Sequence, residues 1–374
     1  MQTRLVRAAS RGGMAALALG TLVSLLSLTT LTGCRPGGDG GDGALTRGSL
    51  SGQLSGSGAT FPDPVFQEWL DHYTGSVETG VAIDYRAVGS GGGIEQFLAQ
   101  SVDFGSSERY LQASELAVAR DVRGCPAVQF PVLFGSVVIA LNDPALDDMV
   151  LTADVLARIY DRQITRYDDP ALVALNPDLD LPDEEIRPVH RSDGSGTTYV
   201  LSHYLTEEVP FWADEYAEGT DIGWHAGTLE GEGNEGVAGT VLDSAGGLGY
   251  VNQSYALEHD LATARVVNAD GHAIEPTLEA TTIASEEAEA DIPDNFQFNV
   301  DGVGGQGYPI VGATWILAYS CGYAEEVGTL LRDFWDWAVN DTRAAAVAED
   351  LGYARMGPEL RDRVTEEIRR VNAD

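Results

Sequence analysis

The chain has 374 residues, enough for two domains or one large one, and 44% of them are hydrophobic, enough for a real core. Aspartate and glutamate number 58 against 22 basic residues, every one an arginine, for a formal charge of −36. That balance excludes a phosphate-loop lysine, a lysine Schiff base and a surface able to neutralise nucleic-acid phosphates; it fits a solvated, self-repelling, halophile-like surface, where salt screens the repulsion.

In chain order, Arg4, Arg7 and Arg11 form a basic start, followed by an uncharged apolar run over 12–31. Then comes Leu31-Thr32-Gly33-Cys34, which resembles a bacterial lipobox. A membrane anchor helix is the alternative, since about 20 apolar residues span a bilayer. The Ala, Gly, Ser and Thr content and the small-residue cysteine site favour a cleaved signal peptide over 1–33, with Cys34 as the lipidated mature N-terminus. The expected product is an exported lipoprotein, periplasmic or on the cell surface. The Gly-rich stretch 34–51 reads as a flexible tether.

Beyond it, strand and helix patterns alternate. Strands are expected over 81–88, 128–141 (one or two), 187–190, 247–251 and 310–319. Helices are expected from 94 to 99, over 153–160 and 197–205, and as closing helices over 324–339 and 358–371. The acidic stretch 285–294 reads as a solvated surface segment. Such alternation points to α/β architecture with largely parallel sheets.

Three loops share one design. They are Ser55-Gly56-Ser57-Gly58-Ala59-Thr60-Phe61-Pro62, Gly89-Ser90-Gly91-Gly92-Gly93 and Arg191-Ser192-Asp193-Gly194-Ser195-Gly196-Thr197-Thr198. Each abuts a strand-like run and opens a helix with small hydroxyl residues and accessible backbone N–H groups, the donors an oxyanion needs. Each alone reads as a turn and cap; three together, one led by an arginine, indicate an anion site. Catalytic signals are lacking: no serine has glycine at both −2 and +2, and the six histidines show no HExxH spacing. His190 beside Arg191 reads as a structural histidine. No enzyme, metal or cofactor is expected. Cys125 and Cys321 could form a disulfide in an exported protein, but spacing does not place them within bonding range.

Taken together, the motifs are specific. Gly56-Ser57-Gly58-Ala59-Thr60-Phe61-Pro62, Val88-Gly89-Ser90-Gly91-Gly92-Gly93, Val102-Asp103-Phe104-Gly105-Ser106-Ser107-Glu108, Arg191-Ser192-Asp193-Gly194-Ser195-Gly196-Thr197, Gly246-Gly247-Leu248-Gly249-Tyr250-Val251 and Tyr308-Pro309-Ile310 resemble the phosphate-binding proteins of bacterial high-affinity phosphate ABC transporters. The likeness runs from about residue 54 to the C-terminus. It implies a two-lobed, type II-like periplasmic-binding-protein fold. Each lobe would be a mixed, mostly parallel sheet flanked by helices, with the ligand in the hinge cleft.

The resemblance implies lobe I over 52–142 plus 263–374 and lobe II over 143–262, so the strand at 310–319 is expected in a different sheet from 247–251. It places Thr60, Phe61, Ser90 and Glu108 on the first lobe, with Arg191, Ser195, Gly196 and Thr197 on the second and Asp193 orienting Arg191. The family usually carries aspartate where this chain has Glu108. The implied partners are inorganic phosphate, the permease subunits of an ABC transporter and a membrane reached through the lipid anchor, for a monomeric protein that binds no nucleic acid. Alternatives are another tetrahedral oxyanion, sulfate or arsenate, a phosphate-releasing hydrolase or a surface adhesion protein.

Overall fold

The computed structural model describes residues 48–374. The expected signal peptide, Cys34 and most of the expected tether lie outside the described residues. The strands, in chain order, are β1 (Ser51–Gly58), β2 (Gly80–Ala87), β3 (Phe104–Ser107), β4 (Ala127–Leu141), β5 (Val150–Leu151), β6 (Arg187–Arg191), β7 (Leu229–Gly231), β8 (Gly247–Asn252), β9 (Ala262–Thr263), β10 (Arg265–Val267), β11 (Ala273–Ile274) and β12 (Val311–Tyr319). Among the described residues the main sheet runs β2-β1-β3-β12-β4-β8-β6-β7, with β9 beside β4; β11, β10 and β5 form a small second sheet.

The main sheet is parallel at both ends and antiparallel in the middle. β1 pairs parallel with β2 and β3, and β6 with β7 and β8. β12 pairs antiparallel with β3 and β4, and β4 with β8 and β9. Parallel neighbours require crossovers. Asp63–His72 joins β1 to β2, Gly89–Leu98 joins β2 to β3, Gly196–Glu208 lies between β6 and β7, and Gly233–Asp243 joins β7 to β8. These four helices therefore start just past the carboxyl ends of strands, where ligands bind in open α/β sheets.

One strand organises the whole. β4 is a single strand of 15 residues, buried on both faces, which explains its near-continuous apolar run. Beyond Ser136 its side chains alternate between two cores: Val137, Ile139 and Leu141 join the larger, Val138 and Ala140 the smaller. It pairs with β12 from Ala127 to Ser136 and with β8 from Val137 to Leu141. The expectation of separate sheets for 310–319 and 247–251 is thus corrected: both lie in one hydrogen-bonded sheet, joined through β4, though they take different halves of it. The lobe boundary expected at 142 falls at the end of β4, whereas the change of partners falls inside the strand.

Two further segments differ from expectation. Part of the acidic stretch 285–294 is the last turn of the helix Leu278–Glu289; Ser285 and Ile292 are buried, and Arg363 donates to the carbonyls of Ile292 and Pro293. Between the closing helices Glu325–Asn340 and Pro358–Arg369 lies a further helix, Thr342–Asp350, capped by Asp341.

Antiparallel pairing of β4 with β12 sets Ala127 opposite Tyr319, which brings the residues two beyond each into reach. They are Cys125 and Cys321, and they form a disulfide with Cα atoms 6.1 Å apart across 196 residues of sequence. Loops this long lose much entropy when cross-linked, so replacing both cysteines by serine is expected to lower unfolding stability by about 2–5 kcal/mol. Denaturant unfolding of the oxidised protein and the double variant measures this.

Candidate functional site

Site residues sit just past the ends of parallel strands. Thr60 and Phe61 follow β1, Ser90 follows β2, Glu108 follows β3 and Arg191 ends β6. Ser195 caps the helix Gly196–Glu208, accepting from the Thr198 N–H at 3.0 Å. Gly89 and Ser90 are not a loop before a helix but its first turn, in the helix Gly89–Leu98. Glycine is needed here for close approach. A Cβ at Gly93 would clash with Gly58 of β1, and the Gly91 N–H donates to the Gly194 carbonyl at 2.9 Å.

The structure brings together the described residues expected at the site. Thr60, Ser90, Glu108, Arg191, Ser195 and Thr197 are all buried. Gly196 lies directly over Ser90 and Glu108: a Cβ there would collide with Ser90 Oγ and Glu108 Oε2. Arg191 Nε donates to Asp193 Oδ1 at 2.7 Å and Nη2 donates to Asp193 Oδ2, a bidentate fork. Nη1 reaches Thr197 Oγ1 at 3.3 Å. Phe61 is fixed by its carbonyl, which accepts from the Tyr353 hydroxyl at 2.6 Å, and by its side chain, which packs in the core. His190 is structural, stacked on Trp224 at 5.0 Å with Nδ1 2.9 Å from the Arg191 carbonyl.

Among the described site residues, Glu108 is the carboxylate enclosed by these donors. Ser90 Oγ donates to Oε2 at 2.9 Å and Thr314 Oγ1 to Oε1 at 3.0 Å. Burial pushes its carboxyl up to about 7, against the pull of those hydroxyls and of the Arg191 charge. Asp193 moves the other way: burial would raise it, but the bonds and charge of Arg191 hold it below the usual range. Among the described residues no cluster of three or more His, Cys, Asp or Glu side chains could hold a metal.

Sequence reasoning misses Thr314, Asn234 and Asn252. Thr314 sits in β12 and touches Glu108 across 206 residues. Asn234 bonds to both Thr60 and Thr197. A signal for Asn234 is present, because Gly231-Glu232-Gly233-Asn234 runs from the end of β7 into a helix start, as the other three glycine-rich segments do.

A search with protein-family models matches residues 44–342 to a PBP superfamily domain. The fold and the site thus define a substrate-binding protein of that superfamily. The phosphate-binding protein PstS of Xylella fastidiosa is 36% identical over 313 residues, 82% of each chain. That of Haemophilus influenzae is 34% identical, over 82% of this chain and 91% of its own. The chain belongs to the PstS family of phosphate-binding proteins. Among solved structures, a high-affinity periplasmic phosphate-binding protein (PfluDING) with phosphate bound superposes with a TM-score of 0.68 at 21% identity, covering 84% of this chain and 93% of that one. A phosphate-binding protein from Stenotrophomonas maltophilia gives 0.64 at 20% identity, covering 84% and 94%. Both share the fold.

The helix that carries Ser195 to Thr197 is also held lower down. Its His203 places Nε2 2.6 Å from Asp301 Oδ1 and Nδ1 against Glu218. Burial disfavours the charged ring, but Asp301 and Glu218 outweigh it and push His203 up to about 9, from about 6.5 in the unfolded chain. The stabilisation is therefore full below 6.5 and is lost as pH rises through 9. Thermal unfolding from about pH 6 to 10 should show stability declining over that window, with a flatter profile in His203→Gln.

Proposed function

We propose that the protein captures inorganic phosphate in a cleft between two lobes and delivers it to an ABC permease for import, with no covalent chemistry. The observation that carries this reading is a buried carboxylate, Glu108, set against two helix starts, at Ser90 and at Gly196, and bonded by the hydroxyls of Ser90 and Thr314. Donors alone suit any oxyanion. A carboxylate among them suits an oxyanion that brings its own proton, and at neutral pH phosphate does so while sulfate does not. The lobes proposed are 52–142 plus 263–374 and 143–262, closing on the ligand as Gly196 meets Ser90.

The direct contacts proposed are the Thr60 and Ser90 hydroxyls, the N–H groups of Phe61, Ser195, Gly196 and Thr197, the Arg191 guanidinium and Glu108. Asp193 orients Arg191. The monomer is held outside the cytoplasm by lipid on Cys34; the disulfide suits an oxidising compartment. Mass spectrometry of membrane-extracted protein tests the anchor: an unmodified Cys34, or an intact Met1, overturns it.

Calorimetry of phosphate-stripped protein against phosphate, sulfate and arsenate tests the reading as a whole, and a phosphatase assay on metal-replete protein tests the hydrolase alternative. Arg191→Ala is expected to weaken phosphate binding by about 2–5 kcal/mol, the cost of breaking a buried charged pair. Arg191→Lys is expected to weaken it as well, since an ammonium cannot form the fork. Glu108→Gln should weaken phosphate by about 1.5–3 kcal/mol and strengthen sulfate. Because Glu108 titrates near 7, sulfate binding in the parent should also strengthen as pH falls through that value, when the carboxyl becomes a donor. The glutamine variant should lose that pH dependence. Unchanged phosphate affinity with sulfate still rejected would assign the discrimination elsewhere.

A further inference from the structure

Asn234 has no counterpart among the residues expected at the site, yet it is completely buried and bonded to two of them. It lies in the first turn of the helix Gly233–Asp243, just past β7. Its side-chain Nδ2 donates to Thr60 Oγ1 at 2.8 Å and to Thr197 Oγ1 at 3.2 Å, and its backbone N–H reaches Thr60 Oγ1 at 3.3 Å. The amide orientation is set by Asn252, whose backbone N–H donates to Asn234 Oδ1 at 3.0 Å. A carbonyl oxygen must face that N–H, so the NH₂ group must face the threonines.

A hydroxyl has two acceptor sites and one proton. Thr60 Oγ1 has both acceptor sites filled by Asn234. Thr197 Oγ1 has its two filled by Asn234 Nδ2 and Arg191 Nη1. Each hydroxyl is then left to donate. A longer approach, 3.4 Å from Thr197 Oγ1 to Asn234 Oδ1, offers that threonine's proton back to Asn234. An anion in the cleft is the stronger acceptor, because a hydrogen bond to a charged group exceeds a neutral one.

We infer that Asn234 is a positioning residue for anion binding: it converts the Thr60 and Thr197 hydroxyls from two-way groups into obligate donors and clasps one to the other. In the proposed lobe assignment Thr60 and Thr197 belong to opposite lobes, so the same amide also ties the lobes together once they close. The inference rests on the phosphate-binding reading above. The same helix start contributes a second support, since the Gly233 N–H donates to Asp193 Oδ1 at 3.0 Å and so steadies the partner of Arg191.

The test is phosphate titration and stopped-flow kinetics on Asn234→Ala and Asn234→Asp, with Thr60→Val and Thr60→Ser made in both parent and Asn234→Ala backgrounds. Asn234→Ala should weaken phosphate about 10- to 100-fold, mostly through faster release, by the usual cost of unmade bonds to charged groups. Asn234→Asp should be at least about tenfold worse than alanine, because a carboxylate accepts the hydroxyl protons and adds a buried negative charge. Thr60→Val should cost far less in the Asn234→Ala background than in the parent, and Thr60→Ser should retain the parent's behaviour. A merely structural asparagine would lower the melting temperature but leave the two effects additive. Additive effects, or aspartate binding as well as alanine, would overturn the inference. A parent protein that binds no phosphate would instead overturn the functional reading on which it rests.

Discussion

The site depends on keeping one guanidinium dry and paired. The Arg191 side chain is 1% exposed at the end of β6, and a buried charge without partners costs several kcal/mol. Asp193 meets it with both oxygens only two residues later, so the chain must turn back at once after the strand. That turn carries the Gly194 carbonyl to the Gly91 N–H and sets Asp193 Oδ2 where no side chain at Gly89 could stand. On the far side of the same loop, Gly196 covers Ser90 and Glu108 with no room for a Cβ. The loops at Ser90 and at Arg191 are therefore a single packing unit, in which glycines of each are required by atoms of the other.

This explains which parts are legible in sequence. Glycine and hydroxyl residues opening a helix are a local pattern, so the loops at Thr60, Ser90 and Arg191 can be read as anion donors with no knowledge of their contacts. β1 cannot be read so easily. Ser51-Gly52-Gln53-Leu54-Ser55-Gly56-Ser57-Gly58 is poor in strand formers, and its first residue falls in the stretch that reads as tether. It is nonetheless an inner strand, paired along its whole length with β2 and at its end with β3. Its glycines answer tertiary demands, since a Cβ at Gly56 would collide with the Phe104 ring. Asn234 and Thr314 escape notice for a related reason: their partners lie 174 and 206 residues away, and neither residue type is informative alone. The family resemblance supplies the fold and the motif residues but does not supply these neighbours.

β4 shows the same interplay of local and distant constraints. Its apolar run is compatible with one strand or two, and the structure makes it one strand with two sets of partners. Opposite β12 its register shifts, with Thr314 facing Leu133 and Trp315 facing Pro131, so that Val132 is the extra residue of a bulge. Proline cannot donate to a ladder and is tolerated at such irregularities. Bulges also re-aim side chains. The residue at this shift is Thr314, the hydroxyl that holds Glu108 Oε1. A proline visible in the sequence thus marks the place where the sheet delivers a bond to the enclosed carboxylate.

An anion site in a chain of charge −36 also has to work against its surroundings. Repulsion from the distant surface is screened beyond about 10 Å at 0.1 M salt, so the decisive charges are local. There the cation of the site, Arg191, is already met by Asp193, which leaves oriented N–H and O–H groups rather than net positive charge to hold an anion. Neutral donors do not distinguish one tetrahedral oxyanion from another. In the proposed site Glu108 does, because a carboxylate accepts a bond from a ligand that carries its own proton, and burial pushes this carboxyl up to about 7. The bond across the cleft then needs one proton, brought by the ligand or held by the glutamate. Phosphate can bring it, whereas sulfate must wait for the carboxyl to take one from solvent. If Glu108 meets the ligand as proposed, selectivity is set by proton ownership, and the surface acids matter little to it.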